Sequence, residues 1–171
     1  MSTISYPSDD FPAPVGVSIE YPDGWRPFPE AAQDLAVVKD VPEGQFRPNV
    51  IVSVRRMRRG TAMSAAVNEL HQRATVLPEY TAVGEEERLI DGWPGFRTEA
   101  SFIDATAGTL VQAIRLAVVD RGTVEDLIQI TGTCHAMQVP DTWEAIREIQ
   151  ESLAIAALVR DAGGATPAAG E

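Results

Sequence analysis

Alternation between apolar and polar residues is the pattern that most constrains the fold of this chain. Val50, Val52 and Val54 share one side of an extended segment, and similar stretches lie before and after it. Side chains at positions i and i+2 lie on one face of a β-strand, so this pattern predicts strands. The segments that show alternation or a short apolar run are 15–21, 35–39, 47–57, 81–90, 95–103, 109–119 and 124–134.

One internal segment changes to helical spacing. Between Gly60 and Pro78, apolar residues such as Val67 and Leu70 recur three or four positions apart, which predicts an amphipathic helix over 61–77. Thr61 is placed to cap its N-terminus, and Pro78 stops it.

A second helix is expected over 141–153. Asp141 is a candidate cap, with Glu144 three positions later, as in a capping box. Ile146 and Ile149 give this helix its apolar side.

The connections between the later strands are short and rich in Asp and Gly. The loops at Asp91-Gly92 and 120–122, and Gly108 at the end of another loop, favour tight turns between antiparallel neighbours. We therefore expect an α+β fold, with an antiparallel sheet of about six or seven strands flanked by two principal helices.

Both ends of the sequence lack the apolar periodicity of its middle. Residues 1–14 are rich in Ser, Asp and Pro, and 159–171 contain no aromatic residue and no run that could be buried. The expected organisation is a flexible segment over 1–14, one domain over 15–158 and a disordered tail over 159–171.

Charge and composition limit the partners. The net charge of -11 repels nucleic acid and anionic membranes, so neither is expected as a partner. No apolar run approaches the about 20 residues that span a bilayer, and the first residues do not resemble a signal peptide. With Cys134 as its single cysteine, the chain is expected to be cytoplasmic and without disulfides.

Catalytic and metal-binding patterns are missing from the sequence. Cys134 and His135 are adjacent in a predicted strand, so their side chains lie on opposite faces and cannot pair as nucleophile and base. Two histidines and one cysteine give no zinc motif, and no phosphate-binding loop occurs. We expect a protein that is not an enzyme and that carries no cofactor and no metal.

The tripeptide Asp-Gly-Trp occurs twice, ending at Trp25 and at Trp93. An aromatic residue beside a turn usually packs against the core, and this is the favoured interpretation. The alternative is a cleft between helix and sheet, lined by Trp25, Trp93, Phe96 and His135, in a small-molecule-binding or enzymatic domain.

Arg55, Arg56, Arg58 and Arg59 form a basic cluster in an acidic chain. Strand parity places Arg56 and Arg58 on one face and Arg55 and Arg59 on the other. One interpretation is a solvated strand end that pairs with the acidic excess. The other is a partner-binding surface, because arginine clamps carboxylates of another protein.

Three short motifs carry a family resemblance: Tyr-Pro-Asp-Gly-Trp at 21–25, Pro-Asn-Val-Ile-Val-Ser-Val at 48–54 and Gly-Trp-Pro-Gly-Phe-Arg at 92–97. With the order of elements over 15–158, the chain resembles the LpqN-like proteins of actinobacteria, in the PsbP-like superfamily.

The resemblance implies an antiparallel sheet flanked by helices and a non-catalytic accessory or adaptor role with another protein as partner; a homodimer stays open. Many members carry a lipobox cysteine that this chain lacks, so an exported location is not carried over.

Overall fold

The structure is a computed structural model that describes residues 3–156. The alternating segments are strands, and the two segments with helical spacing are helices. Within the described residues the strands are β1 (Gly16–Ser18), β2 (Trp25–Pro27), β3 (Leu35–Lys39), β4 (Asn49–Arg58), β5 (Thr81–Ile90), β6 (Trp93–Asp104), β7 (Gly108–Asp120), β8 (Val124–His135) and β9 (Ala154–Ala156), and the helices are α1 (Ala62–Val76) and α2 (Val139–Glu151).

Seven of these strands form one antiparallel sheet in the order β2-β3-β4-β8-β7-β6-β5. The predicted meander runs from β5 to β8, because β5, β6 and β7 each pair with the next strand along the chain. β8 then pairs with β4, which places Val52 opposite Ile130. The predicted fold class, with its antiparallel sheet, is confirmed.

The two helices cover opposite faces of this sheet. On the face that we call the α2 face, Val50, Val52 and Ile130 pack with Ile146 and Ile149 of α2. Burying each such side chain contributes about 1.5–3 kcal/mol relative to leaving it exposed. This cluster forms the larger core of the α/β/α arrangement.

On the opposite face, the α1 face, a second apolar cluster lies under α1. Ala62 and Ala66 of the helix are buried there with Leu116, Leu127 and Phe96 of the sheet. The helix packs on β6, β7 and β8, and it leaves the α1 face of β3 uncovered by helix. That uncovered part becomes important for the candidate site.

Close approach of α2 to the sheet depends on Gly132. A Cβ at this position would overlap with Cγ2 of Ile146, so any larger residue would push the helix away. The buried Gln150 then ties α2 down, because its Nε2 donates to the carbonyl oxygens of Ala113 (2.9 Å) and Ile130 (3.3 Å).

The start of α2 differs from the prediction. The helix begins at Val139, with Pro140 in its first turn, so Asp141 is not its cap. The capping box belongs instead to the preceding 3-10 turn, where the His135 side chain accepts from the Met137 amide and Gln138 accepts from the His135 amide. Proline is tolerated in a first helical turn, which lets the helix start earlier.

The start of α1 is at the predicted place but uses a different cap. The Thr61 hydroxyl donates to the carbonyl oxygen of Arg58 rather than accepting from the helix. The Glu125 carboxylate of β8 accepts from the Ala62 amide instead, at 3.1 Å. A carboxylate at this end also interacts favourably with the helix dipole.

The predicted first strand is shorter than expected. β1 pairs with β9 in a separate two-stranded sheet, so the first and last strands of the described residues lie side by side. Residues 3–14 contain neither helix nor strand. The expected tail over 159–171 lies outside the described residues, and the domain boundaries stay a prediction.

Candidate functional site

The basic cluster lies at the end of β4 where α1 begins, and most of it is paired within the chain. Arg55 contacts Glu69 of α1 at 2.8 Å, and Arg59 contacts Asp120 at 3.0 Å. Arg56 approaches the buried Asp126 at 3.8 Å. The predicted parity is observed, since Arg55 and Arg56 pair on opposite faces. Use of these arginines by a partner stays a prediction.

Asp126, which the sequence interpretation did not single out, explains the position of Arg56. This carboxylate is fully buried, and its Oδ2 accepts from Arg121 and from the amide of Val15, each at 3.0 Å. Its Oδ1 has no hydrogen-bond partner in the described structure. The Arg56 guanidinium also donates to the carbonyl oxygen of Pro12. Together these contacts fasten residues 12–15 to the sheet.

A sequence signal for Asp126 did exist. It shares strand parity with Ile128 and Ile130, so it is an acidic residue on an apolar face. A buried carboxylate needs charged or hydrogen-bonding partners. The parity therefore indicates a buried ion pair, but it does not say which arginines supply it.

The two tryptophans do not border one cleft. Trp25, in β2, is buried, and Trp93, in β6, is half-buried, and both pack on the core of the α2 face. Four strands lie between β2 and β6 in the sheet, which corresponds to about 24 Å at about 4.8 Å per strand. Both tryptophans pack against the core, as in the favoured interpretation.

Phe96 and His135 are also apart from the tryptophans. Phe96 is buried under α1, on the opposite face of the sheet from Trp25. His135 is half-buried at the end of β8 and lines a different cavity. The structure therefore does not bring Trp25, Trp93, Phe96 and His135 together.

The cavity beside His135 is a cleft of about 780 Å³ at one end of the sheet, lined by both polar and apolar residues. His135 Nδ1 accepts from the Met137 amide at 3.1 Å, so its Nε2 carries the proton in the neutral ring. Lys39 donates to the carbonyl oxygen of Asp141 and to the Thr142 hydroxyl, both at 2.9 Å. The polar groups of the cleft are thus hydrogen-bonded mainly to one another.

Cys134 and His71 have structural surroundings. Cys134 is fully buried in the core of the α2 face, and burial raises the pKa of its thiol to about 11. His71, on α1, lies 3.3 Å from Glu85 of the edge strand β5. No group of three or more His, Cys, Asp or Glu within residues 3–156 is arranged to hold a metal ion.

A second cavity of about 290 Å³ lies on the uncovered part of the α1 face, beside β3 and β4. Its walls are mainly apolar, and Arg47 and Asn49 are its polar lining residues. The apolar residues are Phe28, Ala31, Ala36, Val38 and Ile51. We call this cavity the Arg47 pocket. A 3-10 turn, Pro29–Ala31, forms one side of it.

The positive charge at the Arg47 pocket differs from that of the basic cluster. Arg47 is exposed and has no ion pair within residues 3–156, a property it shares there with Arg58 and Arg73. Arg26 lies over the Phe28 ring, 5.9 Å from its centroid, and pairs with Asp40. The sequence interpretation did not single out this pocket.

Comparison with known proteins supports the resemblance. The crystal structure of LpqN from Mycobacterium tuberculosis, involved in cell envelope biogenesis, aligns with a TM-score of 0.72 at 15% identity, covering 85% of this chain and 86% of that one. The solution structure of cyanobacterial PsbP from Synechocystis sp. PCC 6803 aligns with a TM-score of 0.53 at 12% identity, covering 91% and 99%. These structures share the fold. No curated protein matches the sequence.

The expectation of a cytoplasmic protein is wrong. A family model described as probable lipoprotein LpqN matches residues 7–156, and a lipoprotein family points to the cell envelope rather than to the cytoplasm. Charge and composition govern what a folded surface attracts, and they do not report the compartment in which it works.

Neither helix within residues 3–156 has the length and apolar character needed to cross a bilayer.

The family model covers most of the sequence, including the three motifs that carry the resemblance. This chain belongs to the LpqN family.

Proposed function

We propose that this LpqN-family chain is a non-catalytic accessory protein of the cell envelope that acts by binding another protein. The family description as probable lipoproteins, and the involvement of M. tuberculosis LpqN in cell envelope biogenesis, support the location and the broad role. Binding rather than catalysis is inferred from the side chains of this chain.

The observation that carries the proposal is that the side chains best suited to catalysis are engaged in the fold. At a pKa of about 11, the Cys134 thiol is almost entirely protonated near neutral pH and is a poor nucleophile. His135 accepts from the Met137 amide, and it lies on the opposite face from Cys134. A nucleophile and its base must come within about 2.6–3.2 Å of each other.

The surface also offers a cation for a partner. Arg47 is exposed beside the apolar pocket and has no ion pair in the described part of the chain, although the net charge is -11. Unpaired arginines attract carboxylates of another protein and clamp them with two parallel hydrogen bonds. Such a contact steers association and weakens as salt rises.

A second candidate function is small-molecule binding in the cleft beside His135. Its volume of about 780 Å³ falls inside the usual range of about 300–1,000 Å³ for ligand sites. Lys39 and His135 would supply polar contacts there. This alternative predicts that a metabolite, rather than a protein, stabilises the fold.

One paired experiment separates the two candidates. The tagged protein is crosslinked in cells of its source bacterium and its adducts are identified, while the purified protein is screened by thermal shift against metabolites. We expect discrete protein adducts that depend on crosslinker, and no metabolite that raises Tm. A metabolite that raises Tm and is blocked by His135→Gln, with no protein adduct, would contradict the proposal.

A further inference from the structure

The Arg47 pocket is built from apolar residues that neither core uses. Ala36 of β3 lies opposite Ile51 of β4, and Val38 of β3 is buried beside them. None of these three belongs to the apolar cluster under either helix. These residues line a concavity instead of packing under a helix, and concave sites with mainly apolar walls are where ligand groups usually bind.

The walls of the pocket lie mainly on hydrogen-bonded backbone. Ala36, Val38 and Ile51 lie in paired strands, so their positions are fixed by the sheet. The 3-10 turn that carries Ala31 is held by its own backbone bond from Ala31 to Phe28, and the Phe28 amide donates to the carbonyl oxygen of Ala36 at 2.8 Å. A preformed site on regular elements loses little entropy when it binds.

The size of the pocket selects the kind of group that fits. Its volume of about 290 Å³ lies at the lower limit of sites for whole small molecules, which occupy about 300–1,000 Å³. An engineered apolar cavity of about 150 Å³ accepts benzene, so the Arg47 pocket has room for one bulky side chain. The volume therefore favours an anchoring side chain over an entire metabolite.

Arg47 determines the chemistry beside that anchor. Its side chain is exposed at the pocket and has no ion pair within residues 3–156, and Asn49 holds its backbone by donating to the Arg47 carbonyl oxygen at 3.2 Å. Arg26, stacked on Phe28, is paired with Asp40, so among the described residues Arg47 supplies the unpaired positive charge at the pocket. A carboxylate next to the anchor would pair with Arg47 bidentately.

We propose that the Arg47 pocket docks a segment of a partner protein in which a bulky apolar side chain stands next to an aspartate or glutamate. The proposal rests on the proposed function and names the surface and the partner chemistry for it. A nucleic acid or an anionic membrane fits less well, because the chain carries a net charge of -11.

The test uses purified protein and short labelled peptides built on Gly and Ser. One peptide carries Phe-Glu, a second carries Phe-Lys and a third carries Gly-Glu. Binding is measured by fluorescence polarisation, and the binding site is located by NMR of the Ala31 and Ala36 methyl groups. We expect only the Phe-Glu peptide to bind and to shift both methyl signals. Because a single anchor gives weak binding, its Kd should be roughly 10–1,000 μM.

Arg47→Glu and Arg58→Glu are matched variants, because both replace an exposed arginine that has no ion pair in the described residues. Arg47→Glu should weaken binding of the Phe-Glu peptide by about tenfold or more, and Arg58→Glu by less than about twofold. Circular dichroism confirms that both variants are folded. Ala36→Leu, which fills the pocket without changing charge, should also weaken binding.

Equal binding of the Phe-Lys peptide, equal effects of the two charge reversals, or no binding by any peptide would overturn the pocket assignment. Tighter binding of decanoate than of the Phe-Glu peptide would also overturn it, in favour of a lipid. If Arg47→Glu keeps every crosslinked protein in cells, the pocket assignment fails and the proposed function stands. If the unmodified protein yields no protein adduct, the proposed function fails.

Discussion

The two ends of β4 both carry arginines, but their charge is used differently. At the end near α1, Arg55, Arg56 and Arg59 each have an acidic partner within the chain. At the other end, Arg47 precedes the strand and has no ion pair in the described residues, beside a pocket with apolar walls. At the first end three of the four arginines are engaged in the fold, and Arg58 is unpaired within residues 3–156. At the second end the unpaired arginine stands beside an apolar pocket.

This difference teaches that a run of charge in a sequence is not a measure of free charge on the surface. The cluster at 55–59 is conspicuous because its members are consecutive, whereas Arg47 stands alone among uncharged neighbours. Burial of Asp126 under Arg56 and Arg121 makes part of the cluster structural. A lone arginine beside apolar walls is the better candidate for recognition.

The largest expected effect comes from removing Asp126, the buried carboxylate beside the end of β4 that precedes α1. Asp126→Ala leaves Arg121, whose side chain is 11% exposed, without its charge partner, and it removes the acceptor of the Val15 amide. Breaking a buried ion pair costs about 3–5 kcal/mol of unfolding free energy. Urea unfolding monitored by circular dichroism measures the loss.

The control for this variant is Asp120→Asn, which removes an exposed carboxylate from the same end of the sheet. It should lower the unfolding free energy far less than Asp126→Ala does, because exposed ion pairs contribute little. If Asp126→Ala costs no more than Asp120→Asn, the two ends of β4 do not differ as described.

A pH dependence sharpens the comparison at the same end. The Gly122 amide, with Arg59, lowers the pKa of Asp120 below its ordinary value of 3.8. A lowered folded-state pKa stabilises the fold above the unfolded value, and that stability is lost as pH falls through the folded value. Asp120→Asn should therefore flatten the loss of stability between about pH 5 and about pH 2. An identical acid profile in the variant would contradict this.

The smallest expected effects come from single exposed pairs of the cluster. Arg55→Gln breaks the contact with Glu69, and Arg59→Gln breaks the contact with Asp120. All four side chains are at least 42% exposed. Each should lower the unfolding free energy by about 0.2–1 kcal/mol, less so at high salt. Thermal melts at low and high salt check this; a loss above about 2 kcal/mol would show that these pairs are not merely surface contacts.

Much of the fold follows from local periodicity. β6, β7, β8 and α1 were predicted within a few residues, because long segments of one period leave a clear pattern. β5 has no such pattern, and the Asp91-Gly92 turn after it marks its end instead. β2 and β9 were missed, since three residues carry no measurable period. The earlier start of α2 was missed because the cap expected at Asp141 lies in the first turn.

The candidate site was less accessible from sequence. Strand parity correctly placed Arg55 and Arg56 on opposite faces, but their partners lie far along the chain, and only the folded sheet brings them together. The Arg47 pocket needs the turn at 29–31 to fold beside β3, and that proline-rich connection has no period to interpret. The predicted compartment was wrong for another reason. Charge and composition do not indicate the compartment, and the match to the lipoprotein family does.

Site-specific crosslinking tests the central claim most directly. A photoreactive amino acid is placed in turn at Glu30, an exposed residue beside the pocket-lining Ala31, and at Arg58, at the other end of β4. After irradiation of intact source cells, adducts are identified by mass spectrometry. The account predicts a discrete protein adduct from position 30 that Arg47→Glu abolishes, and little from position 58. Adducts from position 58 alone would contradict it.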